Sequence, residues 1–250
     1  MIRSLAVFLT FALCCGAGSA AEPAFTVDAN VALASLMSLS DNHIEAMAGT
    51  LDTVAATPAA GSGEWSQIEP VLRKAASLNV AAVVFYANAN GAYWTITDGK
   101  QPSTISDRPY FLRAMRGERP IGDLLASRST GKAVAVVAVP VMGKDGKASG
   151  VLGASIYLDQ LSLQLAAEMH LSPGLVFWAL DPHGTIALHS DTSNVFVQPG
   201  KLSPQLQRVT ARMLAQHSGT ETYSYKGQTR TVIFRKSELT GWTYGFGMTR

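Results

Sequence analysis

Only two cysteines occur in this 250-residue chain, Cys14 and Cys15, and both fall in the opening stretch MIRSLAVFLTFALCCGAGSA. Beyond it there is no thiol, which excludes disulfides, a redox dithiol and a thiolate metal site. Charge is also sparse and nearly balanced: charged residues make up 15% of the chain and the formal net charge is +2. No basic tract stands out, so the signature of a polyanion-binding protein is missing. After the opening stretch no apolar run is long enough to cross a bilayer. Signatures of chemistry are thin as well. The nearest approach to a Gly-x-Ser-x-Gly elbow, Gly153-Ala-Ser155-Ile-Tyr157, ends in tyrosine. The histidines are scattered, and the group His183, His189 and Asp191 lacks the spacing of a ligand set, so no metal and no cofactor are expected.

What is present begins with a leader. Arg3 supplies a short positive region, Leu5 to Cys15 an apolar run, and Gly16 to Ala21 a string of small residues. The run is short for a spanning helix and the small residues suit a signal peptidase, so 1–21 is read as a signal peptide cut after Ala20 or Ala21. The expected location is periplasmic or secreted, or inner-membrane anchored if the leader stays on. About 230 residues then remain, enough for one large or two small cores without covalent staples.

From Phe25 to Thr57 the chain is rich in helix formers. Leu33, Met37, Ile44, Met47, Leu51 and Val54 recur at three- and four-residue intervals, with Ser40 interrupting the stripe. This predicts a long amphipathic helix over 25–57, whose seam packs on the body of the protein or pairs with a second copy in a homodimer. A second helix is expected from Trp65 to Leu78. Next, VAAVVFYA, NANG and AYWTITDG read as strand, tight turn and strand, with Asn90-Gly91 as the hairpin signal. A helix near Asp107 and the strands DLLASRS, AVAVVAVPV and ASGVLGASIYL follow. The same grammar then returns in smaller form: LVFWALD, PHG and TIALHSD, a helix from about Pro204 to Gln216, and three closing strands. The fold class is α+β, a long N-terminal helix carrying two stacked PAS-like lobes, each an antiparallel sheet flanked by helices. The lobes are placed at 58–165 and 166–250.

The succession ISDRPYF, IGDLLASRSTGK, VAVPVMGKDGKASGVLGAS and IYLDQLS resembles a Cache domain of the double type. The resemblance implies extracytoplasmic sensing of a small ligand in the first, membrane-distal lobe. Such domains serve chemoreceptors, sensor kinases and cyclic-dinucleotide enzymes. The last predicted strand runs to the end at Arg250, so no output domain is expected within this sequence. The expectation is therefore a free periplasmic binding protein that signals through a partner such as a membrane receptor or sensor kinase, or a receptor that lost its output.

Candidate ligand contacts centre on Arg108. Ser106 or Asp107 is a plausible N-cap and Pro109 is accepted in the first turn. Arg108 then sits where free backbone N–H groups already favour negative charge, and its fork adds two parallel bonds to a carboxylate. Tyr110 and Phe111 supply an apolar wall. The resemblance implies that the arginine grips a ligand carboxylate, as in amino-acid sensors of the family. The alternative is a structural pair between Arg108 and Asp107 or Asp123. An acidic residue expected by that resemblance on the last strand is replaced by Ser155, which leaves a ligand ammonium without a partner. A small organic acid is therefore expected over an α-amino acid. Tyr93 and Thr95 share a strand face opposite Trp94, Val151, Gly153 and Ser155 share another, and Ser127 is placed to face the ligand. The enzymatic alternative is Ser129-Thr-Gly-Lys132, a Ser-x-x-Lys match, with Ser40-Asp41-Asn42 resembling a second motif of penicillin-binding enzymes. Its serine lies in a predicted turn between strands instead of opening a buried helix, so no enzyme is expected. A third alternative is an interaction protein with a degenerate pocket.

Overall fold

The computed structural model describes residues 28–249 except 173, so the leader lies outside the described residues. Helix α1 (Ala29–Ala55) opens on Asp28, whose carboxylate accepts from the Asn30 N–H. Then come α2 (Pro58–Gly61), α3 (Trp65–Ala76), β1 (Ala82–Asn88), β2 (Ala92–Thr95), β3 (Gly99–Thr104), α4 (Pro109–Met115), β4 (Ile121–Ala126), β5 (Ala133–Met142), β6 (Ala148–Tyr157) and α5 (Leu158–Glu168). The second part follows as β7 (Leu175–Leu180), β8 (Ile186–His189), α6 (Pro199–Leu202), α7 (Pro204–Leu214), β9 (Ser218–Tyr225), β10 (Gln228–Lys236) and β11 (Thr243–Thr249).

The strands form two antiparallel sheets, ordered β3-β2-β1-β6-β5-β4 and β8-β7-β11-β10-β9. This is the expected α+β arrangement of one long helix and two helix-flanked sheets. Three elements were not legible in the sequence: β3, whose GKQPST lacks any apolar alternation, and the single turns α2, capped by the Thr57 hydroxyl, and α6.

Three clusters of buried side chains follow from this layering. The largest lies around α1, which packs Leu33, Leu36, Ile44, Met47, Leu51 and Val54 against one face of both sheets. The opposite face of the first sheet is covered by α4, and the opposite face of the second by α7. Any small-molecule site on a lobe's outer face is therefore separated from α1 by a whole sheet.

The seam on α1 corrects two sequence readings. Leu36 is fully buried while Met37 is only partly so. Ser40 does not break the stripe: it is fully buried and its Oγ accepts from the Tyr244 hydroxyl at 2.9 Å. Beside it, Asp41 accepts from Ser237 Oγ at 2.7 Å and from Tyr244 at 3.1 Å. Burial nevertheless pushes the Asp41 carboxyl above its ordinary range, against those two hydrogen bonds. Ser40-Asp41 thus ties the long helix to the second sheet, and the motif has a structural use.

The internal repeat reaches the register of the sheets. In the first, Phe85 on β1 lies between Thr95 on β2 and Gly153 on β6. In the second, Trp178 on β7 lies between His189 on β8 and Gly245 on β11. Each ring covers its glycine so closely that an added Cβ would stand 2.1 Å from it. Gly153→Ala and Gly245→Ala are each expected to destabilise the fold by about 1–3 kcal/mol, read as a lower urea midpoint at unchanged slope.

His189 is held neutral. Burial lowers its pKa to about 4, against the opposing pull of Asp191. The unfolded chain binds the proton first as pH falls, so this residue's contribution is present above about pH 6.5 and drains away toward pH 4. The stability difference between the wild type and His189→Gln should change across that window by at most about 3 kcal/mol. A flat difference in urea titrations from pH 7 to 4 would contradict this.

Candidate functional site

The outer face of the first sheet carries a small cavity. Its floor is Val83 and Phe85 from β1, with Tyr93 and Thr95 from β2. Arg108 and Tyr110 enter from the start of α4, Leu125 from β4 and Ser155 from β6, and Ser127, Arg128 and Ser129 come from the turn after β4. Five of the six candidate contacts, Arg108, Tyr110, Tyr93, Ser127 and Ser155, therefore line one cavity. Phe111 does not. It is the third residue of α4, is absent from the cavity lining, and is 2% exposed in the apolar cluster under α4.

The helix start also differs from expectation. Neither Ser106 nor Asp107 caps α4; Arg108 itself occupies the N-cap with extended backbone, and no side chain bonds the first turn. Asp107 is instead clamped by Arg128, through Nη1 and Nη2 at 2.8 Å each. This pair holds the Asp107 carboxyl down at about pKa 2. Arg128 Nη1 also donates to the Thr104 carbonyl. Asp123 pairs with Arg113 at 3.2 Å. Both acids proposed as structural partners of Arg108 are thus taken by other arginines.

Among the described residues Arg108 makes a single hydrogen bond, Nη2 to the Ala126 carbonyl at 3.3 Å, and its Nε is buried without a partner. A guanidinium left short of acceptors in a closed site is costly unless an anion completes it. Around it stand the hydroxyls of Thr95, Ser127, Ser129 and Ser155 and the phenols of Tyr93 and Tyr110, but no carboxylate lines the cavity. Burial pushes the Tyr110 hydroxyl far up, so it stays a neutral donor. Phe85 packs edge-on to Tyr93 with centroids 6.2 Å apart. The cavity volume is about 20 Å³, room for little more than one water.

Arg128 was the contact hardest to see in the sequence, where SRSTGK drew attention to Ser129 and Lys132. Those two do not form a dyad. Ser129 Oγ lies 3.2 Å from Ser127 Oγ, and the Lys132 ammonium sits over the Tyr157 ring at 4.7 Å. Among the described residues no three histidines, cysteines or acids converge as a metal set. No described helix is long and apolar enough to cross a membrane.

The family model for the Cache domain, in its dCache form, matches residues 24–250. The chain belongs to that family. Solved Cache structures agree with the fold. The ligand-binding domain of the Pseudomonas fluorescens chemoreceptor CtaA, in complex with L-leucine, is 19% identical with a TM-score of 0.67, covering 88% of this chain and 93% of that one. The extracellular domain of the histidine kinase rpHK1S-Z16, described as putative, gives 18% and 0.72 over 88% and 92%. The Pseudomonas aeruginosa PAO1 amino-acid chemoreceptor PctB, in complex with L-Arg, gives 16% and 0.69 over 89% and 95%. No curated protein matches the chain.

Proposed function

We propose that this protein is an extracytoplasmic sensor that binds a small organic acid in its first lobe and does not transform it. The observation that carries this reading is Arg108: a cavity-lining guanidinium whose Nε is buried and unpartnered. The double-Cache fold and the ligand complexes of the P. fluorescens and P. aeruginosa chemoreceptors support a sensing role. Those proteins were solved with amino acids. Here Ser155 and three neighbouring hydroxyls meet the far end of the ligand, and the lining has two arginines and no acid. An ammonium would be desolvated without compensation, whereas a hydroxy- or keto-acid would be satisfied. The leader supports export, and a membrane receptor or sensor kinase is the partner that the family's usual settings favour. Ser129 and Lys132 lie apart, which argues against the hydrolase alternative.

Ligand entry requires the 104–108 loop and the 127–132 turn to separate, because Arg128 bridges them through Asp107 and the Thr104 carbonyl. The Asp107 side chain is 64% exposed, so the pair holds the mouth only weakly. Asp107→Asn should raise affinity for a bound acid by about threefold, read by calorimetry. The primary test is a thermal-shift screen of the purified chain against organic acids, amino acids and amines. Acids lacking an amine should raise the melting temperature. Stabilisation by amino acids with simple acids inert would overturn the carboxylate reading.

A further inference from the structure

The second lobe has its own cavity on its outer face, between its sheet and α7. Its volume is about 40 Å³, twice that of the first. The apolar wall is Trp178, Leu180, Ile186, Leu206 and Met213. The polar groups that converge on it are His189, Asn194, Thr210, Tyr223 and Arg230, with no acid among the lining residues.

Three buried side-chain polar atoms lack a partner among the described residues: Arg108 Nε, Arg230 Nε and Thr243 Oγ1. Two of the three belong to the arginines that line the two cavities. Arg230 comes from β10, opposite Tyr223 on β9, and its guanidinium lies 5.0 Å from the Tyr225 ring. It therefore has a different strand origin from Arg108, which stands at a helix start. The cavities themselves are counterparts, since Trp178 and His189 hold the register positions of Phe85 and Thr95. His189 Nδ1 accepts the Asp191 N–H at 2.8 Å. A neutral imidazole bonded in that way carries its proton on Nε2, which makes it a second donor beside Arg230.

We infer that the second lobe is a second ligand site, taking a small monocarboxylate with a short or flat apolar body. The carboxylate pairs with Arg230 and accepts from His189 Nε2–H, and the apolar end lies against Trp178 and Met213. An anion completes the guanidinium whose Nε is unpartnered; a cation would meet only positive or neutral groups. The site is independent of Arg108 and of the ligand of the first lobe.

The test follows the Trp178 indole N–H by NMR in ¹⁵N-tryptophan-labelled full chain, assigned with Trp178→Phe. Sodium benzoate and sodium butyrate are the probes, with sodium chloride as the salt control. A saturable shift with benzoate or butyrate is expected, unchanged in Arg108→Ala and at least tenfold weaker in Arg230→Gln. A Trp178 signal that stays still, or one that follows chloride equally, overturns the site. So does full binding by a folded Arg230→Gln. If that variant loses its dispersed spectrum, Leu206→Trp, which fills the cavity from α7, must abolish the shift, and retained binding overturns the proposal. Loss of first-lobe binding in Arg108→Ala with the Trp178 response intact separates this site from the first.

Discussion

Arg108→Ala should weaken binding of an organic acid in the first lobe by at least about 100-fold. Charge-assisted hydrogen bonds contribute roughly 1.5–3 kcal/mol each, and a forked pair to one carboxylate uses two of them. A loss of about 3 kcal/mol corresponds to about two decades in Kd. Arg108→Lys keeps the charge but not the planar fork, so it should recover only part of the affinity. Calorimetry on both variants checks this, with circular dichroism confirming the fold. The one hydrogen bond that Arg108 makes to the protein, to the Ala126 carbonyl, is long at 3.3 Å. Stability should therefore change little. An affinity loss below threefold in a folded variant would remove Arg108 from the site.

The second large effect is on stability. Trp242 is fully buried, and its indole N–H donates to the Gly122 carbonyl on β4 at 3.1 Å. Gly122 has φ +84°, and a Cβ there would press on Thr240 and on the Trp242 nitrogen at 3.2–3.3 Å. The ring also packs against Tyr244, 6.2 Å away, which holds Ser40 of α1. Trp242→Ala should lower the unfolding free energy by about 3–5 kcal/mol. Trp242→Phe keeps most of the packing but leaves the Gly122 carbonyl without its donor, at about 1–3 kcal/mol. Urea titrations separate the two. A Trp242→Phe variant as stable as the wild type would mean that the hydrogen bond contributes nothing.

The parts of this fold that were legible in the sequence are those where a period or a turn residue decides. The apolar stripe of α1, the Asn90-Gly91 hairpin and the long β-branched run of β5 are of this kind. What stayed hidden depends on partners distant in the chain. Ser40 looks like a flaw in the stripe until Tyr244, 204 residues away, supplies its hydrogen bond. Phe111 follows Tyr110 directly, but successive helical residues diverge by about 100°, so only one of them can face the cavity. Asp107 and Arg128 are 21 residues apart, and only the closed β4–β5 turn brings them together. The glycines under Phe85 and Trp178 read as ordinary strand glycines until the register pairs each with a ring.

Strand β4 lies at the edge of its sheet, with a ladder neighbour on one side only. Its Ala126 carbonyl accepts a long hydrogen bond from Arg108 and its Gly122 carbonyl one from Trp242 of the other lobe. Four residues of extended chain put those two handles roughly 13 Å apart. A guest that draws Arg108 toward itself would release the Ala126 end of this strand, leaving it held by its β5 ladder and by the Trp242 indole at Gly122. The edge strand of the first lobe is thus tied to the second lobe by a hydrogen bond that bypasses the long helix.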